Sequence, residues 1–214
     1  PFSVFVRLAW VALALVSLTL LLAPFQIAAT ALNLNWKRKF PLYWHKIIRR
    51  VLRLTVTLEG NLSDNRPALI VANHQTWLDI VTLGSTFEAS FIAKAEVRTW
   101  PGFSTLARLQ RTVFVNRSRR SATGETANEI ADRMIEGDAM ILFAEGTTGD
   151  GNRVLPFKPA LFGAAQMAEK VAHVELVTVQ PVVVAYTHIR GSQVSRAERK
   201  RLSWYGDLEL VPHI

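Results

Sequence analysis

The run Ala68-Leu69-Ile70-Val71-Ala72, followed at once by Asn73-His74-Gln75-Thr76-Trp77-Leu78-Asp79, sets the reading of this chain. Five apolar residues, preceded by the turn formers Ser63-Asp64-Asn65-Arg66-Pro67, predict a short strand. Trp77–Thr86 then reads as a helix. The alternation continues on both sides. Val56–Leu58, Ser90–Ala93, Thr112–Asn116, Ala139–Ala144 and Val177–Tyr186 read as further strands, and Ser104–Leu109, Ser121–Glu136 and Lys158–Glu169 as helices. Strands alternating with helices imply an α/β fold, a largely parallel mixed sheet flanked by helices, here placed over residues 55–214. The chain opens on Pro1 and stops at Ile214 in mid-pattern, so the domain is expected to be truncated at its C-terminus.

Composition narrows the field. Half of the 214 residues are hydrophobic, which excludes a disordered chain and allows a substantial core. With no cysteine there is no disulfide, no zinc–thiolate or iron–sulfur site and no cysteine nucleophile. Lys and Arg number 25 against 17 Asp and Glu, a net charge of +8. No acidic residue precedes Glu59, whereas Arg7, Lys37, Arg38, Lys39, Lys46, Arg49, Arg50 and Arg53 do, so the whole excess lies in the N-terminal quarter. A nucleic-acid binder more often spreads its basic residues over the folded domain, and no nucleic-acid partner is expected.

That quarter, residues 1–54, reads as a membrane-anchoring helical segment. Leu8 to Trp36 carries no charge and is long enough for a bilayer core. Pro24 and the polar Gln26, Thr30, Asn33 and Asn35 leave two readings open: one tilted crossing kinked near Pro24, or a hairpin that enters one leaflet and returns. A cleaved signal peptide fits less well, because the run is long for an h-region. Lys37 to Leu54 reads as a basic amphipathic helix, with Trp44, Ile47, Ile48, Val51 and Leu52 at helical spacing. Contact with an anionic lipid surface is the favoured reading, and a surface helix packed on the domain is the plainer one. The positive-inside tendency places Lys37–Lys39, and the domain after them, on the cytoplasmic side of the inner membrane.

Several chemistries lack their signatures. No Gly-x-Ser-x-Gly elbow occurs, Asn152 stands where a P-loop lysine belongs, the dinucleotide fingerprint is incomplete, and no His-Glu-x-x-His is present. No metal site is expected. His45, His173, His188 and His213 are isolated and read as structural or exposed.

Three strand ends carry what remains. His74 and Asp79 lie five residues apart, about 140° around an ideal helix, so they do not share a helical face. His74 is expected in the turn, with Asp79 reaching back from the first helical turn. A carboxylate so placed holds one ring nitrogen protonated and leaves the other as a base. Arg117 follows the strand Thr112–Asn116 and offers a fork of donors for phosphate; an exposed basic loop is the plainer reading. Glu145-Gly146-Thr147-Thr148 ends another strand, where an acidic side chain can hold a ligand hydroxyl, and Lys158 opens the next helix.

In this order the segments resemble the lysophospholipid acyltransferase family, whose bacterial type is the 1-acyl-sn-glycerol-3-phosphate acyltransferase. Asn73-His74 to Asp79 matches its Asn-His-x-x-x-x-Asp block, Phe114 and Arg117 its Phe-x-x-Arg block, and Glu145-Gly146-Thr147 its Glu-Gly-Thr block. Phe157-Lys158 and Val179-Gln180-Pro181-Val182 match two later blocks. The resemblance implies acyl transfer from acyl-CoA or acyl carrier protein (acyl-ACP) to a lysophospholipid hydroxyl, giving phosphatidic acid, with no bound cofactor. It implies His74 as general base and Asp79 as its partner. It also implies Arg117 with Lys158 on the acceptor phosphate, and Glu145, Gly146 and Thr147 at its glycerol part. Three departures bear on the acceptor: Arg111 and Ala160 where the family usually has glycine, and Thr148 where it has arginine or serine. A different acceptor, such as a lyso-ornithine lipid without phosphate, is therefore the alternative. A non-catalytic membrane-anchored lipid-binding module is the alternative of another class.

Overall fold

The computed structural model describes residues 2–115, 120–158, 162, 170 and 177–204. Its centre is a five-stranded sheet of β1 (Ala68–Ala72), β2 (Ala89–Lys94), β3 (Val113–Val115), β4 (Ala139–Phe143) and β5 (Thr178–Val182). The strand order is β3-β2-β4-β1-β5, and every pair is parallel. Helices α3 (Leu78–Thr86), α4 (Phe103–Leu109) and α5 (Arg120–Ile135) link the first four strands. A small antiparallel ribbon of β6 (His188–Ile189) and β7 (Ser192–Gln193) leads to α6 (Arg196–Leu202).

The strands are continuous apolar runs because both faces are covered. Leu69 and Val71 of β1 join Met140 and Leu142 of β4 in a layer with Ile130 and Met134 of α5. Ile70 and Ala72 point the other way and meet Leu83, Phe87, Phe91 and Ile141. The period-two alternation of one strand thus feeds two cores.

Two strand expectations need correction. Val56–Leu58 forms no strand; further along, the edge strand β5 meets the segment through a side chain, with Gln180 bonding the Ser63 N–H at 3.1 Å and the Asn61 carbonyl at 2.9 Å. The strand expected over Val177–Tyr186 ends at Val182. Beyond it Asn73 takes the place of a neighbouring strand. Its Oδ1 accepts from Val184 N–H at 2.8 Å and its Nδ2 donates to Val184 O at 3.0 Å. The helix expected over Lys158–Glu169 lies almost wholly outside the described residues, and Lys158 itself is not helical.

In the N-terminal quarter the apolar run begins as one long helix. Helix α1 (Phe2–Ala31) runs unbroken through Pro24, and the chain reverses only afterwards, at Leu32–Asn35, into α2 (Trp36–Val51). At about 1.5 Å per residue, 30 residues reach about 45 Å, more than the hydrocarbon core requires.

Helix α2 departs from the expected lipid-facing role on one side. It packs on α3 and buries His45 and Ile48 there. Its first basic residues also face the protein. Lys37 Nζ lies 2.5 Å from Glu136 Oε2, and Arg38 pairs with Asp138. Arg111 joins them, 2.9 Å from Asp138 and 3.1 Å from Glu136. Burial alone would raise the Glu136 carboxyl, but Lys37 and then Arg111 hold it below its ordinary value. Part of the basic excess is therefore neutralised internally. Trp36, Tyr43 and Ile47 remain exposed on α2.

The same network answers the Arg111 departure. Arg111 has φ +59°, a left-handed conformation that glycine adopts without strain. It precedes β3, and Asp138 precedes β4, so the pair sits at the amino edge of a parallel sheet, opposite the strand ends that bind ligands. Arg111 is a buried tie between elements and does not bear on the acceptor.

His45 is seated on α3 because residue 84 is glycine: a Cβ there would lie 2.4 Å from the imidazole Cδ2. Gln110 donates to Ala89 O and so turns its Oε1 to His45 Nε2, at 2.6 Å. Burial lowers the His45 pKa to about 4. The unfolded chain, with an ordinary value near 6.5, binds the proton more readily. This contribution to stability is complete above about pH 6.5 and disappears as pH falls toward 4. Chemical denaturation at pH 5 should show a loss of about 2 kcal/mol relative to pH 7.5 from this group, absent in a His45→Gln variant.

Candidate active site

The site forms where β1, β4 and β5 end. His74 occupies the turn after β1, and Asp79 is the second residue of α3. The Asp79 side chain is fully buried. Its Oδ2 lies 2.8 Å from His74 Nδ1 and accepts the backbone N–H of Gln75 at 2.7 Å and of Thr76 at 2.9 Å. Its Oδ1 accepts the Tyr186 hydroxyl at 2.9 Å. An ionised carboxylate can only accept, so Nδ1 carries the hydrogen and Nε2 keeps its lone pair. Phe143, the last residue of β4, stacks on the imidazole with ring centroids 3.8 Å apart and planes 13° from parallel. The ring is thus fixed in tautomer, tilt and direction.

Glu145 follows β4, the strand hydrogen-bonded to β1. Expected at an acceptor hydroxyl, it is instead only 1% exposed and its oxygens are taken. Oε2 accepts His74 N–H at 2.6 Å, and Oε1 accepts Leu155 N–H. This carboxylate ties the His74 turn to the loop over residues 146–155. Gly149 N–H adds a bond to His74 O at 2.8 Å. Gly151 closes the arrangement with φ +74°; a Cβ there would meet Gln75 Oε1 at 2.4 Å and Ser203 Oγ at 2.8 Å.

A cleft of about 150 Å³ opens beside the histidine, lined by Asn73, His74, Gln75, Arg153, Val154 and Val183 among others. Gly146, Thr147 and Lys158 are not part of this lining. Thr147 and Lys158 are exposed, and the Lys158 N–H is bonded to Ala144 O at 2.8 Å. Arg117 lies outside the described residues, immediately beyond β3. Among the described residues no cluster of three metal-ligating side chains occurs.

Sequence reasoning missed Tyr186 and Phe143 as parts of the site. Phe143 carries no signal beyond its place at a strand end. Tyr186 stands 107 residues from Asp79, and no local pattern joins them. Burial, and then the Asp79 charge, raise the Tyr186 phenol far above its ordinary range, so it remains a donor at physiological pH. Tyr186→Phe keeps the ring and removes that donor. We expect kcat to fall about tenfold, the worth of one hydrogen bond to a charged group.

The family model described as Acyltransferase matches residues 53–185, and the chain belongs to that family. More narrowly, it is an acyltransferase of the lysophospholipid type. It is 51% identical over 209 residues to the lyso-ornithine lipid O-acyltransferase of Brucella abortus, covering 98% of this chain and 78% of that one. It is 35% identical over 115 residues to the 1-acyl-sn-glycerol-3-phosphate acyltransferase of Neisseria gonorrhoeae, covering 50% of this chain and 45% of that one. The fold resembles the crystal structure of the 1-acyl-sn-glycerophosphate (LPA) acyltransferase PlsC from Thermotoga maritima, with a TM-score of 0.53, 20% identity and 83% of each chain covered.

Proposed function

We propose that the chain transfers a fatty acyl group from a thioester to the hydroxyl of a lyso-ornithine lipid. The observation that carries the acceptor is the 51% identity to the Brucella abortus enzyme, sustained over 98% of the chain. Thr148, where the resemblance leads one to expect arginine or serine, brings no positive charge to this position. An ornithine headgroup bears a carboxylate and an ammonium and no phosphate. The partial likeness to the Neisseria gonorrhoeae enzyme favours a second acceptor, 1-acyl-sn-glycerol-3-phosphate.

In this reading His74 Nε2 removes the acceptor proton as the hydroxyl oxygen attacks the thioester carbonyl. The new C–O bond gives a tetrahedral oxyanion. Its collapse breaks the C–S bond, and the imidazolium returns the proton to the departing sulfur. Asp79 stabilises the transient imidazolium, and its other three donors keep it from drifting. Base catalysis of this kind contributes about 10²–10⁴-fold. The donor is acyl-CoA or acyl-ACP, and either one leaves as a free thiol.

The anchor fits lipid chemistry. Over Val6–Ala31 the mean hydropathy is 2.3, and the side chains of Leu13, Leu20 and Leu21 are exposed. We place α1 in the inner membrane with the domain on its cytoplasmic side, so that acceptor and product stay in the lipid phase. Residues 1–54 then serve as the anchoring segment and 55–214 as the acyltransferase domain.

The test is a thiol-release assay with detergent-solubilised protein, each donor in turn, and either lyso-ornithine lipid or lysophosphatidate. Faster transfer to lyso-ornithine lipid is expected. Preference for lysophosphatidate would overturn the acceptor, and no thiol release with any acceptor would leave the lipid-binding module standing.

A further inference from the structure

The loop from Glu145 to Leu155 delivers a guanidinium to the cleft that the mechanism above leaves unused. Arg153 lines the same cleft as His74. Its side chain is exposed and has no carboxylate partner among the described residues. Four other arginines are engaged within the fold: Arg38, Arg111 and Arg133 pair with Asp138, and Arg98 covers the Phe114 ring. Arginine is charged at every relevant pH, so a guanidinium left beside the base exerts its field on whatever enters.

The backbone that carries it is pinned from both sides. Gly149 N–H bonds His74 O, Asn152 Nδ2 donates to Arg196 O at 3.2 Å, and Leu155 N–H enters the Glu145 carboxylate. Gly151 seats against Gln75. Arg153 is therefore held in register with the imidazole. Another part of the lining is apolar, with Val154 and Val183 presenting exposed side chains. The cleft thus offers a base, a cation and a hydrocarbon wall. A ligand that satisfies all three has a hydroxyl, an anionic group and an alkyl chain. Arg153 is the cationic side chain in the lining of this cleft.

We propose that Arg153 is a specificity-determining residue that holds the anionic headgroup of the acceptor, the ornithine carboxylate, in a forked pair of hydrogen bonds. This deepens the reading above and rests on it. Carboxylate and phosphate share the chemistry that a guanidinium recognises, and the acceptor decides between them.

The experiment compares wild type, Arg153→Ala and Arg153→Lys with lyso-ornithine lipid, its carboxyl methyl ester and lysophosphatidate. For lyso-ornithine lipid, Arg153→Ala should raise KM about tenfold or more with kcat little changed, and Arg153→Lys should recover part of it. With the methyl ester, wild type and Arg153→Ala should have equal KM values. Melting temperature should not move, since the side chain has no internal partner. An unchanged KM for Arg153→Ala overturns the proposal, as does an equal rise for the acid and its ester. If wild type uses lysophosphatidate instead, the acceptor reading fails, and Arg153 is judged by the same KM ratio on that lipid: a rise supports an anion site for phosphate, and no change ends it. A wild type inert to both lipids overturns both readings.

Discussion

His74→Ala should lower acyl transfer by about 10²–10⁴-fold while leaving the fold in place. The rate should fall because Nε2 is the base in the proposed mechanism, and alanine offers no proton acceptor. The fold survives because Asp79 keeps three of its four donors, the Gln75 and Thr76 N–H groups and the Tyr186 hydroxyl. No buried charge is stranded, which is the usual route to a large loss of stability. Paired measurements decide it: thiol release at saturating donor and acceptor, and a thermal melt of the same sample. A variant that retains transfer within tenfold of wild type would remove His74 from the mechanism. Asp79→Ala is the poorer probe, because it strands two backbone donors and a phenol together, and lost activity could then follow from lost structure.

Glu145→Gln should destabilise the protein by about 2–3 kcal/mol, although one oxygen becomes one nitrogen. The carboxylate accepts from His74 N–H on one side and Leu155 N–H on the other. A carboxamide can accept on only one side, so its NH2 must face an N–H donor inside a site that is 1% exposed. For a chain of this size the cost corresponds to a fall in melting temperature of about 5–10 °C. Transfer should drop as well, since the tie fixes both the His74 turn and the loop bearing Arg153. The opposite role makes a different forecast. If Glu145 held an acceptor hydroxyl, Glu145→Gln would raise KM and leave the melt where it was.

Both effects turn on residues the sequence singles out, but they were legible to different degrees. His74 and Asp79 lie five residues apart across a strand-to-helix turn, so local geometry was enough to bring them together. Glu145 was visible as an acidic residue at a strand end. Its tie to the His74 turn was not legible, because that partner is 71 residues away and only the adjacency of β4 and β1 makes them neighbours. Tyr186 left no trace in its own segment. Basic Lys37 and Arg38 pointed to lipid when counted by charge, yet the acids that neutralise them, Glu136 and Asp138, come from the turn between α5 and β4.

The order of apolar runs and turn residues determined the α/β class, the helical character of the N-terminal quarter and the placing of the histidine at a strand end. These properties follow from burial periodicity and from contacts within a turn or two, which a linear string records directly. Strand order, the left-handed backbone at Arg111, the covering of α2 by α3 and the buried tether at Glu145 were decided only in three dimensions. Each depends on which distant segments share a hydrogen-bonded edge or a packed face, and that choice is made by the whole core at once.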